Sequence, residues 1–445
     1  NPWGNTHIAA CTEVNGKQFR AVMPEGLLDK LTSRSSLIPE DKKASNDPVT
    51  LGVDHDIDLV DMRGKSFNDP AWDKLLEQLT VSELSLMVAQ CGYTSPEMKS
   101  INKPKVSDLD GPAGLNLVVG HGSVPIGDGL YSMTWVTEYM LASTWDETLA
   151  LEMGEAVGED GLYAGVVGWY GPAMNIHRTP FSGRNFEYYS EDPILSGIMG
   201  KNAVQGAARK GMYAFIKHYA VNDQETHRDQ NGLITFLNEQ SMREIYLKPF
   251  ELTIKENDVT VKYNDPVKDE NGNITGYEMK EPSMPAATAV MSSFNRIGAT
   301  WAGGNYRLIT QVLREEFGFH GFVLTDYDTG NYMISNTTQM LEAGGDAKLN
   351  TIGTYDGLTS GENRNANIRY ALNAAKNVLY TVANSAAMNG YVHGREFVPG
   401  FAYYKFILIA WDVLAAAGFV TLGVFLGKRI VAMRKASAGD AETKE

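Results

Sequence analysis

The sequence contains only two cysteines, Cys11 and Cys91, among its 445 residues, which excludes a disulfide scaffold and a cysteine-rich zinc module. It is also poor in basic residues, because 39 Lys and Arg stand against 54 Asp and Glu and leave a formal net charge of −15. That charge argues against a protein that binds the phosphate backbone of nucleic acid. The spacings of zinc proteases, phosphate loops and dinucleotide loops are missing as well. We therefore predict no metal site, no nucleotide cofactor and no nucleic-acid partner.

One long apolar run lies near the C-terminus, over residues 406–427, and Asp412 is its only charged residue. A helix of this length, rising about 1.5 Å per residue, spans the roughly 30 Å of a bilayer core. Tyrosines precede the run and basic residues follow it, as in a membrane anchor whose basic end is cytoplasmic. The sequence therefore predicts a single-pass membrane protein with residues 428–445 in the cytoplasm. The alternative, a core helix, is usually amphipathic, whereas this run is apolar on all sides.

The residues before this run divide into a polar segment and one large domain. Residues 1–60 are rich in helix breakers and have no sustained hydrophobic period, which indicates a linker or the end of a preceding domain. Over residues 61–391, short β-branched or aromatic runs alternate with helix-like stretches, a succession typical of parallel α/β proteins. The size suits a (β/α)8 barrel of the TIM type, followed by a juxtamembrane linker over residues 392–405. An Asn-Gly turn at Gly272 predicts one β-hairpin insertion.

Polar residues that could carry chemistry lie at the ends of several predicted strands or in turns. Asp326 directly follows the apolar run GFVLT, where a barrel places its working residues, and a carboxylate there suits nucleophilic or acid–base catalysis. Asp110 lies in the turn LDGPAG, Arg184 in the polar loop GRNFEYYSEDP, and Lys217 and His218 together at a strand end. Each also has an explanation that involves no chemistry. Asp326 could cap a helix, and Asp110 could form a turn. The loop with Arg184 could be paired internally, and Lys217 and His218 could be a solvated pair.

Taken together, these segments resemble glycoside hydrolase family 3, and within it the β-glucosidase-like members. The matching pieces occur in family order: LDGPAG, NIHRTPFSGRNFEYYSEDPILSG, KHYAVNDQETHRD and VMSSFNRIGATWAGGNYRLITQVLREEFGFHGFVLTDYD. The similarity covers residues 61–391, roughly three-quarters of the chain. The resemblance implies a barrel that cleaves β-linked glycosides at the non-reducing end with retention of configuration.

The resemblance also implies roles for individual residues. Asp326 is expected to be the nucleophile, and four residues are expected to hydrogen-bond the hydroxyls of the sugar: Asp110, Arg184, Lys217 and His218. Tyr327 stands where the family usually has Trp, and we expect its ring to stack on the sugar. Two further departures are Phe294 in place of a frequent Tyr and Asn116 in place of a frequent Arg.

The general acid of the family is missing from this sequence. In β-glucosidase-like members the resemblance implies a Glu from a separate α/β sandwich domain, for which the chain has no room. The KHxPGHG segment of the N-acetylglucosaminidase branch is replaced by KHYAVND. Because the chain begins with Asn1 and some family members place the sandwich first, we expect a missing N-terminal half that supplies the acid.

The prediction is therefore a membrane-anchored, outward-facing exo-acting β-glycosidase. Its substrate would be a β-linked oligosaccharide or glycoside. The alternatives are a non-catalytic, membrane-anchored glycan-binding protein that has kept the pocket, and a glycoside phosphorylase.

Overall fold

The structure is a computed structural model that describes residues 13–14, 17–18, 26, 36–116, 125–127, 130–226, 228, 233–328, 330, 334–395 and 403–442. The chain divides into two units, Asn1–Arg395 and Glu396–Glu445. The first unit contains a central β-sheet with surrounding helices, and the second contains one long helix.

Seven strands form the central sheet in the part of the chain that the structure describes. They are β1 (Thr94–Ser95), β2 (Val106–Asp110), β3 (Gly168–Tyr170), β4 (Tyr213–Tyr219), β5 (Ala289–Ser292), β6 (Phe322–Tyr327) and β7 (Ala347–Leu349). Strands β2 to β7 pair in parallel in chain order, while β1 runs antiparallel to β2. The N–H groups of Cys91 and Gly92 donate to the carbonyls of Lys348 and Asn350 at 3.1 and 2.9 Å, which joins the two ends of the sheet. The prediction of a TIM-type barrel is confirmed, with the first strand reversed.

The central strands are buried on both faces, which explains why their sequences are almost continuous apolar runs. All seven residues of β4 and all four residues of β5 are buried. Aromatic rings fill part of the interior, where Phe215 meets Tyr170 and Phe322 edge to face with ring centroids 5.1 and 5.0 Å apart. These contacts hold neighbouring strands in a fixed order around the ring.

Helices lie between successive strands, as the alternating pattern predicted. Those of five or more residues in the first unit are Ala71–Glu77, Val81–Ala89, Glu138–Ala142, Glu147–Ala164, Pro193–Arg209, Met242–Tyr246, Lys248–Ile254, Arg307–Glu316, Thr337–Glu342 and Arg364–Ala383. Thr80 explains why residues 70–90 form two helices rather than one. Its hydroxyl accepts from the N–H of Glu83 at 3.2 Å, and the Glu83 carboxylate accepts from the N–H of Thr80 at 2.9 Å, so a capping box starts the second helix.

The smaller strands outside the barrel sheet include the expected hairpin. They are Glu13–Val14, Lys17–Gln18, Pro125–Gly127, Leu130–Tyr131, Ile234–Thr235, Asp258–Thr260, Tyr263–Lys268, Ile274–Lys280, Ser283–Pro285, Arg296–Ile297 and Thr300–Trp301. Tyr263–Lys268 pairs antiparallel with Ile274–Lys280. The turn between them places Gly272 at a φ of 77°, a conformation that favours glycine.

Residues 36–60, within the segment that the composition indicated as a linker, contact the helix Arg364–Ala383. The N–H of Ala44 donates to the hydroxyl of Tyr370 at 2.8 Å, and Asn46 Oδ1 accepts from the N–H of Asn365 at 3.0 Å. Polar hydrogen bonds of this kind leave no hydrophobic period in a sequence, which is why the pattern did not reveal them.

The second unit contains the helix Tyr403–Glu442. Its segment Tyr403–Lys435 is long and apolar enough to cross a membrane, and its most apolar window is not buried in this structure. The apolar run that the sequence predicted as a membrane span, residues 406–427, lies within this segment.

Asp346 connects three elements at the start of β7. Its carboxylate accepts hydrogen bonds from Arg314 Nη2 at 2.9 Å, Asn377 Nδ2 at 2.8 Å and the N–H of Val323 at 2.6 Å. The side chain is fully buried, and that of Arg314 is mostly buried.

Replacing Asp346 with Ala would leave the Arg314 guanidinium buried without its partner. We expect the free energy of unfolding to fall by about 3–5 kcal/mol, as for other broken buried ion pairs. Urea unfolding of the detergent-solubilised chain measures this. The matched control is Glu278→Ala, which breaks an exposed pair with Lys280 and should cost less than about 1 kcal/mol. Equal losses in the two variants would contradict the role given to Asp346.

Candidate active site

The candidate site lies at the carboxyl ends of the parallel barrel strands. Asp110 ends β2, Asp326 and Tyr327 end β6, and Lys217 and His218 lie near the end of β4. Because parallel strands present their carboxyl ends at one rim of a barrel, residues far apart in sequence meet there.

Asp110 and Lys217 form a close ion pair, with Lys217 Nζ 2.6 Å from Asp110 Oδ1. The lysine is buried, whereas the Asp110 side chain is 45% exposed. Burial opposes ionisation of Asp110, but the Lys217 ammonium outweighs it and holds the pKa of the carboxyl below its usual value. The turn after Asp110 requires glycine at Gly111, where φ is 123° and a Cβ would meet the carbonyl of Gly114 at 1.8 Å. Because the pKa of Asp110 is lowered, its carboxylate is ionised at the rim.

Asp326 is a buried carboxylate with one free oxygen. Its Oδ1 accepts from the N–H of Tyr327 at 2.7 Å, while Oδ2 has no hydrogen-bond partner among the described residues. His218 Nε2 and Arg228 Nη1 lie 3.7 and 3.6 Å from Oδ2. Burial raises the pKa of Asp326, and the charges of Arg228 and Arg184 oppose that rise. The free oxygen is the atom that could attack an electrophile.

Asn175 holds His218 in place. Its Oδ1 accepts from the N–H of His218 at 2.8 Å, and its Nδ2 donates to the His218 carbonyl at 3.0 Å. The ring atom Nδ1 of His218 lies 3.3 Å from the same Oδ1, which favours the tautomer with the proton on Nδ1. Burial, with the charges of Arg184, Lys217 and Arg228, lowers the pKa of His218 well below its usual value. The imidazole is therefore neutral and leaves Nε2 as an acceptor for a ligand hydroxyl.

Lys217 and His218 both reach the site although they are neighbours in a strand. The register of β4 against β5 shifts here, since Val290 pairs with Ile216 but Ser292 pairs with Tyr219. Regular alternation of side chains is interrupted at this irregularity. This irregularity accounts for two neighbouring residues of one strand both reaching the site.

Glu225 connects the two arginines of the site. Its Oε2 lies 2.9 Å from Arg228 Nε and 3.9 Å from Arg184 Nη1. Arg184 also pairs with Glu187, and the guanidinium of Arg228 stacks 4.6 Å from the ring centre of Phe294. The sequence argument identified Arg184 but missed Arg228 and Glu225. Both stand in the quoted segment KHYAVNDQETHRD, three residues apart, and that spacing was the available signal.

Two tyrosines lie beside the acidic residues of the site. Tyr327 is 45% exposed and projects from the end of β6. Burial raises the pKa of Tyr93 to about 12, and the nearby charges of Asp110 and Asp326 add to this effect. Tyr93 comes just before β1 at a φ of 57°. The sequence analysis missed it, because the reversed strand β1 brings its beginning, rather than its end, to this rim.

The loop after Asp326 is anchored by Asp328. This carboxylate pairs with Lys348 of β7, and it accepts from Ser335 Oγ at 3.1 Å and from Asn350 Nδ2 at 3.4 Å. The backbone on which Tyr327 stands is thereby tied to the next strand.

Two further acidic side chains lie near the site. Glu138 is fully buried, and burial, followed by the charge of Glu187, raises its pKa well above the usual value. Its side chain is closed off from a ligand. Asp223 follows β4, and burial raises its pKa to about 7 against the opposing charge of Arg178. Within the described residues, no cluster of three or more His, Cys, Asp or Glu side chains could hold a metal ion.

The pair of Arg228 and Asp326 gives a direct test of the electrostatics. Arg228→Gln removes a positive charge that favours the ionised carboxylate, so the pKa of Asp326 should rise further. Carbodiimide modifies protonated carboxyl groups, and peptide mapping across a pH series should show labelling of Asp326 persisting to higher pH in the variant. Arg209→Gln, which breaks an ion pair with Glu155, is the control and should leave the midpoint unchanged. An identical midpoint in Arg228→Gln would contradict this electrostatic role.

Comparison with known proteins shows what this part of the chain is similar to. Residues 97–264 match the family described as "Glycosyl hydrolase family 3 N terminal domain". The chain is 34% identical over 284 residues to β-glucosidase B of Emericella nidulans, covering 63% of this chain and 29% of that protein. It is 32% identical over 278 residues to a β-glucosidase of Rhizobium radiobacter, covering 62% and 29%. The chain thus spans less than a third of the length of these curated relatives.

Solved structures give the same result. β-Glucosidase 3B from Thermotoga neapolitana is 30% identical with a TM-score of 0.57, over 73% of this chain and 44% of that chain. A β-glucosidase from Paenibacillus barengoltzii is 25% identical with a TM-score of 0.62, over 87% and 40%. These matches confirm the resemblance that the motifs predicted: residues 97–264 match the N-terminal domain of glycosyl hydrolase family 3.

Proposed function

We propose that this chain is the barrel part of a membrane-anchored, retaining β-glycosidase of the β-glucosidase type. The observation that carries the proposal is Asp326, a buried carboxylate at the end of β6 whose Oδ2 accepts no hydrogen bond from the described residues and lies 3.6 Å from Arg228 Nη1. A retaining enzyme needs such an oxygen to form a covalent bond with the anomeric carbon. The relatives over this part of the chain are named β-glucosidases, which supports the same reaction here.

The proposed sugar site consists of the polar groups around Asp326. Vicinal hydroxyls require several converging donors and acceptors, and the Asp110–Lys217 pair, Arg184 and His218 Nε2 supply both kinds. Tyr327 offers a half-exposed ring on which a sugar face can stack. The Thermotoga neapolitana enzyme has been solved in complex with glucose, which supports a hexose of this type at the non-reducing end.

The proposed reaction has two steps. Asp326 attacks the anomeric carbon, the bond to the leaving oxygen breaks, and a second carboxyl group protonates that oxygen. Water then attacks the anomeric carbon, the bond from that carbon to Asp326 breaks and frees the carboxylate, and the second group takes the water's proton. Glu187 and Glu225 are engaged by arginines, so we assign the acid to an α/β sandwich domain outside these 445 residues.

A nitrophenolate can leave without being protonated, whereas the leaving oxygen of a natural glycoside must first receive a proton. We therefore expect the isolated chain to be nearly inert on cellobiose but to be glycosylated slowly by an activated 2-fluoro aryl glycoside. Intact mass and peptide mapping should locate the sugar on Asp326, and Asp326→Asn should abolish labelling. Labelling of another residue would refute the nucleophile.

Cleavage of cellobiose by the isolated chain tests where the acid comes from. Asp223→Asn is the matched control, because Asp223 is the acidic side chain near the site with a pKa of about 7. This variant should label normally at Asp326. If the isolated chain cleaved cellobiose and Asp223→Asn lost that activity, the chain would supply its own acid. A chain that binds sugar but never labels, even with a sandwich domain present, would instead be the glycan-binding alternative.

We further propose that residues 406–427 anchor the protein and that residues 61–391, the barrel domain, lie outside the cytoplasm. The support is the apolar helix Tyr403–Glu442 and the basic residues that follow the apolar run: Lys428, Arg429, Arg434 and Lys435. Residues 392–405 would be the juxtamembrane linker.

Protease added to intact cells should therefore degrade the barrel and leave an epitope tag after residue 445 protected. Permeabilised cells are the control, in which both should be degraded. Protection of the barrel with loss of the tag would reverse the proposed orientation.

A further inference from the structure

A polar groove lies at the opposite end of the barrel from the candidate site. One wall is the hairpin over residues 263–280, which lies in the connection from the helix Lys248–Ile254 to the start of β5. The other wall is built from residues 60–63 and 388–393. Connections from a helix to the next strand lie at the amino ends of parallel strands, whereas the candidate site lies at their carboxyl ends. The groove is therefore separate from the sugar site proposed at Asp326.

The groove is large enough for a small ligand, and its walls are joined at two places. Its volume is about 610 Å³, within the roughly 300–1,000 Å³ of small-ligand sites. The guanidinium of Arg63 lies 4.3 Å from the ring centre of Tyr263, and its Nη2 donates to Asn389 Oδ1 at 2.9 Å. Farther along the hairpin, Lys268 Nζ donates to the carbonyl of His393 at 3.4 Å. These contacts hold the hairpin against the barrel, with the groove between them.

The hairpin presents an aromatic ring to the groove. Tyr277 is 64% exposed and lies opposite Pro266 in the register of the two strands. Residues paired in this way share one face of a hairpin, so the ring and the proline form one apolar patch. Both residues line the groove. The apolar C–H face of a sugar ring packs on a flat patch of this kind.

Polar side chains with unused hydrogen-bonding capacity lie beside this patch. Asn264 and Asp265 line the groove, and within the part of the chain that the structure describes their side chains make no hydrogen bond. The amide oxygen of Asn389 accepts from Arg63, while its Nδ2 makes no hydrogen bond to a described residue. Amide and carboxylate groups next to an aromatic ring suit an array of hydroxyls, because each hydroxyl both donates and accepts.

The charges of the groove favour an uncharged ligand. The charged side chains on its walls are of both signs: Asp61, Asp265, Arg63, Lys262 and Lys268. Lys262 is paired with Glu281 at 2.9 Å, and Arg63 and Lys268 make the contacts described above. An anionic ligand would therefore meet two carboxylates, while the cationic groups beside them are already engaged. A neutral molecule rich in hydroxyls avoids this repulsion.

We propose that this groove is a second, non-catalytic binding site for a neutral oligosaccharide. One sugar ring packs on Tyr277 and Pro266, and the neighbouring amide and carboxylate groups of Asn264 and Asp265 hydrogen-bond its hydroxyls. The inference goes beyond the proposed function, because a site at the amino ends of the strands takes no part in the reaction at Asp326. Its effect is to hold the protein on a glycan, which raises the local concentration of further sugar chains.

Hydrogen–deuterium exchange of the detergent-solubilised full chain locates a bound sugar without relying on catalysis. The probes are three neutral tetrasaccharides: cellotetraose, laminaritetraose and maltotetraose. At least one of them should slow amide exchange in residues 262–280 and 388–393 with a saturable dose dependence. Asp326→Asn should leave this protection unchanged. Tetragalacturonate, which is an acidic tetrasaccharide, and inorganic phosphate should give no protection in these segments.

Substitutions in the hairpin measure the individual contacts. Tyr277→Ala removes the exposed ring and should raise the dissociation constant from the exchange titration about tenfold. Asp265→Ala removes a charged acceptor, and we expect a rise of about tenfold or more. Tyr163→Ala is the matched control, because Tyr163 is 68% exposed on the helix Glu147–Ala164, and it should not alter binding. None of the three variants should alter the labelling of Asp326.

Several results would overturn the proposal of a second site. If none of the neutral probes protected the two segments, the groove would bind no oligosaccharide, and protection by phosphate or tetragalacturonate alone would make it an anion site. Protection that is unchanged in both Tyr277→Ala and Asp265→Ala, or that disappears in Asp326→Asn, would place the sugar elsewhere. Failure of the proposed function is distinguishable, because Asp326 would then stay unlabelled while the groove was still protected.

Discussion

The barrel depends on a close approach between two backbones at Gly92. A Cβ on this residue would lie 2.7 Å from the carbonyl carbon of Asn350 and 2.9 Å from its nitrogen, so no other residue fits without moving one of the strands. The contact joins the first and last strands of the sheet, and it places Tyr93 beside the acidic residues of the site. A larger side chain here would open the ring and separate Tyr93 and β7 from the residues at the other strand ends.

The charges at the rim balance each other within an acidic chain. Burial favours the protonated form of Asp326, while Arg228 and Arg184 favour the ionised form. Glu225 in turn neutralises part of the positive charge of both arginines. Three cationic side chains surround the Asp326 carboxylate, and each is paired with another acidic residue. The pairs are Arg184–Glu187, Arg228–Glu225 and Lys217–Asp110. A change in any one partner would alter the protonation of the others.

The sequence predicted the parts of the site that are carried by single strand ends. Lys217, His218 and Asp326 follow apolar runs, and Asp110 lies in a turn after Leu109. A parallel barrel brings such strand ends together whatever the details of its packing. The roles given to these residues remain proposals. The same pattern does not predict Tyr93, because the position of Tyr93 at the rim depends on the reversed strand β1. The hydrogen bonds that tie residues 36–60 to the helix Arg364–Ala383 were equally hidden, since they join polar groups.

The anchoring of Asp328 by Lys348, Ser335 and Asn350 has a consequence for how the pocket recognises its ligand. These contacts fix the backbone that carries Tyr327, so the protein would lose little conformational entropy at this wall on binding the proposed ligand. Such a preorganised wall selects by shape: a ring that does not match the position of Tyr327 is rejected, because the wall does not adjust to it. Under the proposed function, discrimination at this wall would therefore depend on the shape of the ligand.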